Sequence, residues 1–212
     1  MGKRFYMLIA ISLLILLGIG SASAITATNP WVWLGVEQAK MAASDDKDYV
    51  VAYVNGEPVT KGEITSWQNV IKWGNRISGS NQPNSVHDAF DDLIKSKSII
   101  AIAKKEGLWP TDEETREHIK GVRESFELIG GEAKEELEYY LDGLGLTEDE
   151  FFEEYSFEDY RRSLAVGRYW EKMCAEYADE QPDKQIELVD RQVRNMMDNA
   201  KVEIVDPMLR KR

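Results

Sequence analysis

Residues 49–63 constrain the fold of this chain more than any other stretch, because they encode a strand, a tight turn and a helix start in immediate succession. Val50, Ala52 and Val54 fall on one side of a β-branched run and Val51 and Tyr53 on the other, the period-two pattern of a short strand. Asn55-Gly56 supplies the positive φ angles of a tight turn. Thr60-Lys61-Gly62-Glu63 is a capping box: the threonine hydroxyl accepts from an early helical amide and Glu63 reaches back to the Thr60 N–H. A lone strand leaves its backbone groups unsatisfied, so a partner must arrive from elsewhere. The alternation in Lys201-Val202-Glu203-Ile204-Val205, stopped by Pro207, is the natural candidate. The expected fold is mainly α: helices enclosed between two terminal strands that pair in a small two-stranded sheet.

Between those strands the apolar spacing is helical. Ile64, Trp67, Val70 and Ile71 form a first stripe, which ends before the polar loop at 78–84. A second helix starts at Ser85, carries Val86, Ala89, Phe90, Leu93, Ile94, Ile100 and Ala103, and stops at Gly107, with Leu108 packing back. Thr111-Asp112-Glu113-Glu114 is another capping box and opens a helix with Ile119, Val122, Phe126 and Ile129, closed by Gly130-Gly131. A short helix with Leu137, Tyr140, Leu141 and Leu144 follows. Thr147-Glu148-Asp149-Glu150 then caps the turn leading to Phe151, Phe152 and Tyr155. A longer helix from about residue 158 carries Tyr160, Leu164, Tyr169, Trp170, Met173 and Tyr177. Past the break at 180–183, Ile186, Val189, Val193, Met196 and Met197 form a last stripe.

The ends read differently. Lys3 and Arg4 precede an apolar run from Phe5 to Ile19, and Ala22-Ser23-Ala24 resembles a cleavage site. Residues 1–24 are therefore read as a secretory signal, or an N-terminal anchor, which places the protein outside the cytoplasm, secreted or on the cell envelope. The run is short of the ~20 residues that span a bilayer comfortably, which favours the signal. Residues 25–48 read as a linker or weak helix, whose Trp31 and Trp33 dock onto the domain or sit near a membrane. The helical domain occupies 49–207, and 208–212 is a basic tail.

The chain holds 38 acidic and 26 basic residues, a formal net charge of −12. Loss of Lys3 and Arg4 with the leader makes it two units more negative. Such a surface repels phosphate backbones, which disfavours nucleic acid as a partner, and weakly favours basic partners. Cys174 is the single cysteine, so no disulfide forms within the chain. Its neighbours Trp170, Met173 and Tyr177 suggest a packed thiol.

No catalytic constellation stands out. His87 beside Asp88 cannot share a helix face with it, and reads as a solvated helix-start residue. His118, among Glu113, Glu114 and Glu117, reads as part of a solvated face rather than a metal site. The acidic runs lack the ligand alternation of a calcium loop, and no glycine cluster leads into a phosphate-binding lysine. The expectation is a protein with no catalytic residues, metal or cofactor.

Binding is the better supported chemistry. Six tryptophans and eight tyrosines follow the leader, more aromatic surface than a small helical core requires. Trp67, Trp73, Trp109, Phe152, Tyr169 and Met196 are the candidate client-binding residues, with Met197 equally able to adapt its shape to varied partners.

The motifs in order resemble the N-terminal domain of SurA/PrsA-type extracytoplasmic foldases. The matching stretches are 51–60 with Glu63, the helix from Phe90 to Leu108, Pro110 to Glu114, Gly145 to Phe151, and the closing segment from Ala200 to Pro207. In that family the domain is a helical chaperone module, often accompanied by a parvulin prolyl isomerase. The parvulin's glycine-rich strand motifs and paired histidines have no counterpart here. The resemblance implies an ATP-independent holding protein for unfolded or nascent exported polypeptides, gripping them in an apolar cleft rimmed by acidic side chains. Its rivals are a scaffold for one envelope partner and a divergent prolyl isomerase.

Overall fold

A computed structural model describes residues 29–129 and 131–210. The leader read in residues 1–24, the residues up to 28, Gly130 and the last two residues of the basic tail lie outside this range.

The chain is mainly helical, with one small antiparallel sheet. β1 (Val50–Val54) pairs on one side with β3 (Val202–Ile204), setting Ala52 opposite Ile204, Tyr53 opposite Glu203 and Val54 opposite Val202. The two distant β segments therefore meet, as their sequence pattern implies. The sheet has three strands rather than the expected two, because Glu57–Thr60 forms β2 on the other side of β1. Pro58 argues against a strand only where its missing N–H is needed. Here Val54 and Glu57 flank a two-residue turn, so the next pair, Tyr53 and Pro58, is a non-bonded one and the proline nitrogen faces the open edge. Asn55 and Gly56 make the turn with φ of 53° and 86°. A register shift near Val51 lets both Val51 and Ala52 point inward.

Asn55 does more than turn the chain. Its N–H donates to the Lys201 carbonyl at 2.8 Å, its Oδ1 accepts from the Lys201 N–H at 2.9 Å, and its Nδ2 donates to buried Ser98 Oγ at 3.1 Å. One side chain thus fastens the hairpin to the strand that arrives almost 150 residues later and to the helix beneath.

Eight helices lie among the described residues. They are α1 (Pro30–Ala42), α2 (Lys61–Ser78), α3 (Val86–Lys105), α4 (Asp112–Ile129), α5 (Glu132–Leu144), α6 (Glu148–Glu150), α7 (Phe157–Glu176) and α8 (Pro182–Asp198). Capping boxes open α2, α4 and α6 where the sequence places them, and Ser85 with Asp88 adds one at α3. A π-helical turn, Phe151–Tyr155, follows α6, and a 3₁₀ turn, Pro207–Leu209, ends the described chain.

The inner face of the sheet (Val51, Ala52, Val54 and Val59) packs on Ile64, Ala89, Phe90 and Leu93, and Leu209 closes that core from the C-terminal turn. Ile119, Val122, Phe152 and Tyr160 build a second cluster between α4 and α7. Ile99, Tyr169 and Met173 build another between α3 and α7.

The segment read as a linker is helical over Pro30–Ala42 and packs against α2 and α5. Trp31 lies on Trp73 with ring centres 4.5 Å apart, and Gln38 donates to the Ser66 carbonyl. The α1 and α5 backbones touch directly, for a Cβ on Gly35 would lie 2.3 Å from the Tyr140 oxygen and one on Gly143 2.3 Å from the Val32 oxygen. Two glycines facing each other across the crossing are what permit it; they were hidden among residues that individually look loop-like.

Candidate functional site

An open cleft of about 1120 Å³ lies beside β3. Tyr53, Asn55 and Gly56 form one wall, Lys201, Val202 and Glu203 a second, Ala101, Ile102 and Lys105 of α3 the floor, with Tyr169 of α7, Gln192, Asn195 and Met196 of α8 and Asn199 at the C-cap of α8 opposite. Gln192, Asn195, Met196 and Asn199 recur at i, i+3, i+4 and i+7, so one face of α8 presents them together.

The cleft mixes two kinds of group. Tyr53 and Val202 are large apolar side chains left well exposed, at 37% and 39%, while Ile102 and Met196 are half-buried. The carboxamides of Gln192 and Asn195 make no hydrogen bond among the described residues, whereas that of Asn199 donates to the Asn195 carbonyl. Burial, with Glu106 and Glu176 next in effect, pushes the Tyr169 hydroxyl above its ordinary pKa, so it stays a neutral donor. The titratable groups of the lining are Lys105, Lys201, Glu203 and the two tyrosines.

β3 is an edge strand. Lys201 and Val205 direct their backbone bonds toward β1, through the Asn55 N–H and the Val51 carbonyl. By antiparallel alternation, the N–H and C=O of Val202 and Ile204 face away from β1 and have no backbone partner among the described residues.

Of the six candidate client-binding residues, this cleft brings together two, Tyr169 and Met196. Trp67 is half-buried, on the first core, and its indole N–H donates to Asp92 at 2.8 Å. Trp109 is half-buried under the Lys104 ammonium, 4.9 Å from the ring centre. Trp73 and Phe152 are corrections: at 1% and 0% exposure they fill the core and offer no surface to a client. Trp73 is covered by α1, and Phe152 is stacked on Tyr160 at 5.8 Å and crowded by Phe126 and Phe151.

His118 is likewise buried rather than solvated, because α7 covers that face of α4 and sets Tyr160 edge-on to the imidazole. Burial, then the nearby Arg168 guanidinium, lowers its pKa from 6.5. Cys174 is exposed, not packed; its carbonyl accepts from Gln185. The acidic rim expected around the cleft is also absent from its lining, where two lysines face one glutamate.

The residues that sequence reasoning missed are the hydrophilic ones, Asn55, Gln192, Asn195 and Asn199. The signal was the i, i+3, i+7 recurrence of carboxamides beside the apolar stripe of α8, which passes for ordinary helix surface until a cleft is seen to lie against it. Compared with known proteins, the chain matches no family model, no curated protein and no solved structure.

Proposed function

We propose that this chain is an exported, ATP-independent holding module of the SurA/PrsA N-terminal type, which binds extended or partly folded polypeptide reversibly in the cleft between β3 and α8. One observation carries the reading: two carboxamides and a strand edge without partners among the described residues, with exposed apolar side chains, line an open cleft. Carboxamides donate to and accept from any peptide bond, so they bind a polypeptide without reading its sequence. An unpaired edge offers main-chain bonds to an extended segment, and apolar neighbours supply area. The family resemblance supports the same reading, since it implies terminal strands meeting around a helical body.

The openness of the cleft fits fast exchange, and no nucleotide motif in the sequence points to a driven release. The apolar leader pattern of residues 1–24 supports export.

The test is aggregation suppression. The chain should delay aggregation of several unrelated, chemically unfolded proteins. Replacing Tyr53→Ser and Met196→Ser together should weaken that effect several-fold while the thermal melt holds. A chain that suppresses none of them fails as a holding module. Capture of one folded partner in fixed ratio, without suppression, would establish the scaffold instead, and measurable prolyl turnover the isomerase.

A further inference from the structure

We infer that the cleft selects apolar polypeptide segments flanked by carboxylates, against the charge of the protein as a whole; this rests on the polypeptide-binding reading above. The sequence is acidic overall, with 38 Asp and Glu against 26 Lys and Arg, and by itself suggests basic partners. The lining of the cleft has the opposite balance. Lys105 and Lys201 face a single carboxylate, Glu203.

Several cations among the described residues are paired: Lys104 with Glu57, Arg168 with Glu114, Lys184 with Glu187. Lys105 and Lys201 form no ion pair among the described residues, and Glu203 forms none either. The acids near the Tyr169 end are drawn elsewhere, since Lys172 holds Glu106 at 2.8 Å and Glu176 at 4.0 Å. The Lys201 N–H and C=O are both held by Asn55, which fixes the start of its side chain just before β3, where the residue lines the cleft. Lys105 sits in the last turn of α3 and lines the same cleft. Two lysines from different parts of the chain thus border an apolar and amide-rich surface, complementary to a segment that carries carboxylates.

Range decides which charge a client feels. At physiological salt the Debye length is about 8 Å, so the distant acidic surface is largely screened while a lysine in contact is not. The local pair therefore sets the preference once a segment is seated, and the global charge acts on approach.

The experiment is fluorescence anisotropy on the full chain at physiological salt, with three dye-labelled peptides. They share one apolar core and differ in flanks: paired aspartates, paired serines or paired lysines. The aspartate-flanked peptide should bind about fivefold more tightly than the lysine-flanked one, the size expected of one or two exposed ion pairs. In the Lys105→Gln/Lys201→Gln variant, its fold checked by circular dichroism, the ratio between the aspartate-flanked and lysine-flanked affinities should fall to about one. Equal affinity for all three peptides, or a preference that survives in the variant, overturns the inference and leaves polypeptide binding standing. Binding of none of the three overturns the functional reading beneath it as well.

Discussion

Lys97 Nζ lies 2.6 Å from Glu63 Oε1, and the lysine is almost wholly buried. The same carboxylate accepts from the Thr60 N–H through its other oxygen and meets Arg162 at 3.3 Å. One glutamate therefore caps α2 and ties it to α3 and α7. Removing Lys97 leaves Glu63 with the longer contact to the more exposed Arg162, so a half-buried carboxylate loses its nearest cation. Lys97→Met should lose about 3 kcal/mol in urea unfolding. Adding Glu63→Gln should recover part of that loss, because glutamine still completes a capping box. A single-variant loss under about 1 kcal/mol would contradict the assignment.

Trp73→Ala and Phe152→Ala each open a cavity in a filled core. Each should cost about 3–5 kcal/mol. Their effect on client holding should then follow the lost fold, with shifted thermal melts and altered near-ultraviolet circular dichroism. Unchanged melts with weakened holding would return these two residues to a binding surface.

The α1–α5 crossing depends on glycine at two positions, and the rest of the chain supplies a control. Gly35→Ala or Gly143→Ala drives a methyl into a backbone carbonyl, so α1 must shift, changing the fluorescence of the Trp31–Trp73 pair and lowering the melt. Gly121→Ala in α4 meets open space, and should stabilise by about 1 kcal/mol through helix propensity. If all three variants behave alike, close backbone contact is not what places α1.

Much of the fold was legible because it is written in short-range chemistry. Thr60 with Glu63, Thr111 with Glu114, Thr147 with Glu150, Asn55-Gly56 and Gly107 each announce a boundary within a few residues. The pairing of β1 with β3 followed from having two alternating segments to match. What failed depended on distance. Whether Trp73 or Phe152 is core turns on which helix covers it, and α1, which covers Trp73, looks like a linker until Gly35 meets Gly143. His118 reads as solvated beside three glutamates until α7 is laid over it. The cleft was least legible, because exposed amides carry no periodic signature of burial, and because Tyr169 and Met196 were the only candidates that the topology brought to it.

Acid should act in two stages. Burial lowers the His118 pKa from 6.5, so the fold favours neutral imidazole; that stability is complete above 6.5 and declines as pH falls below it. The Glu114 carboxylate is held at about 2, from an ordinary 4.5, first by the Arg168 guanidinium and then by the Thr111 N–H and hydroxyl. Its contribution is complete above 4.5 and disappears as pH falls from there toward 2, with Glu150 and Asp88 shifted in the same direction by their own caps. Urea unfolding across pH should show both declines, and His118→Gln should remove the upper one alone. An upper decline that persists in His118→Gln would assign it to another group.

Binding of polypeptide in the cleft beside β3 is the central claim, and methyl NMR of the methionines tests it most directly. Met196 lines the cleft, while Met41 lies on α1 and Met173 in the core between α3 and α7. On titration with an unfolded polypeptide, the account predicts a saturable shift of the Met196 methyl signal while the Met41 signal stays in place. Binding that saturates with Met196 unmoved, or with Met41 shifting in its stead, would contradict it.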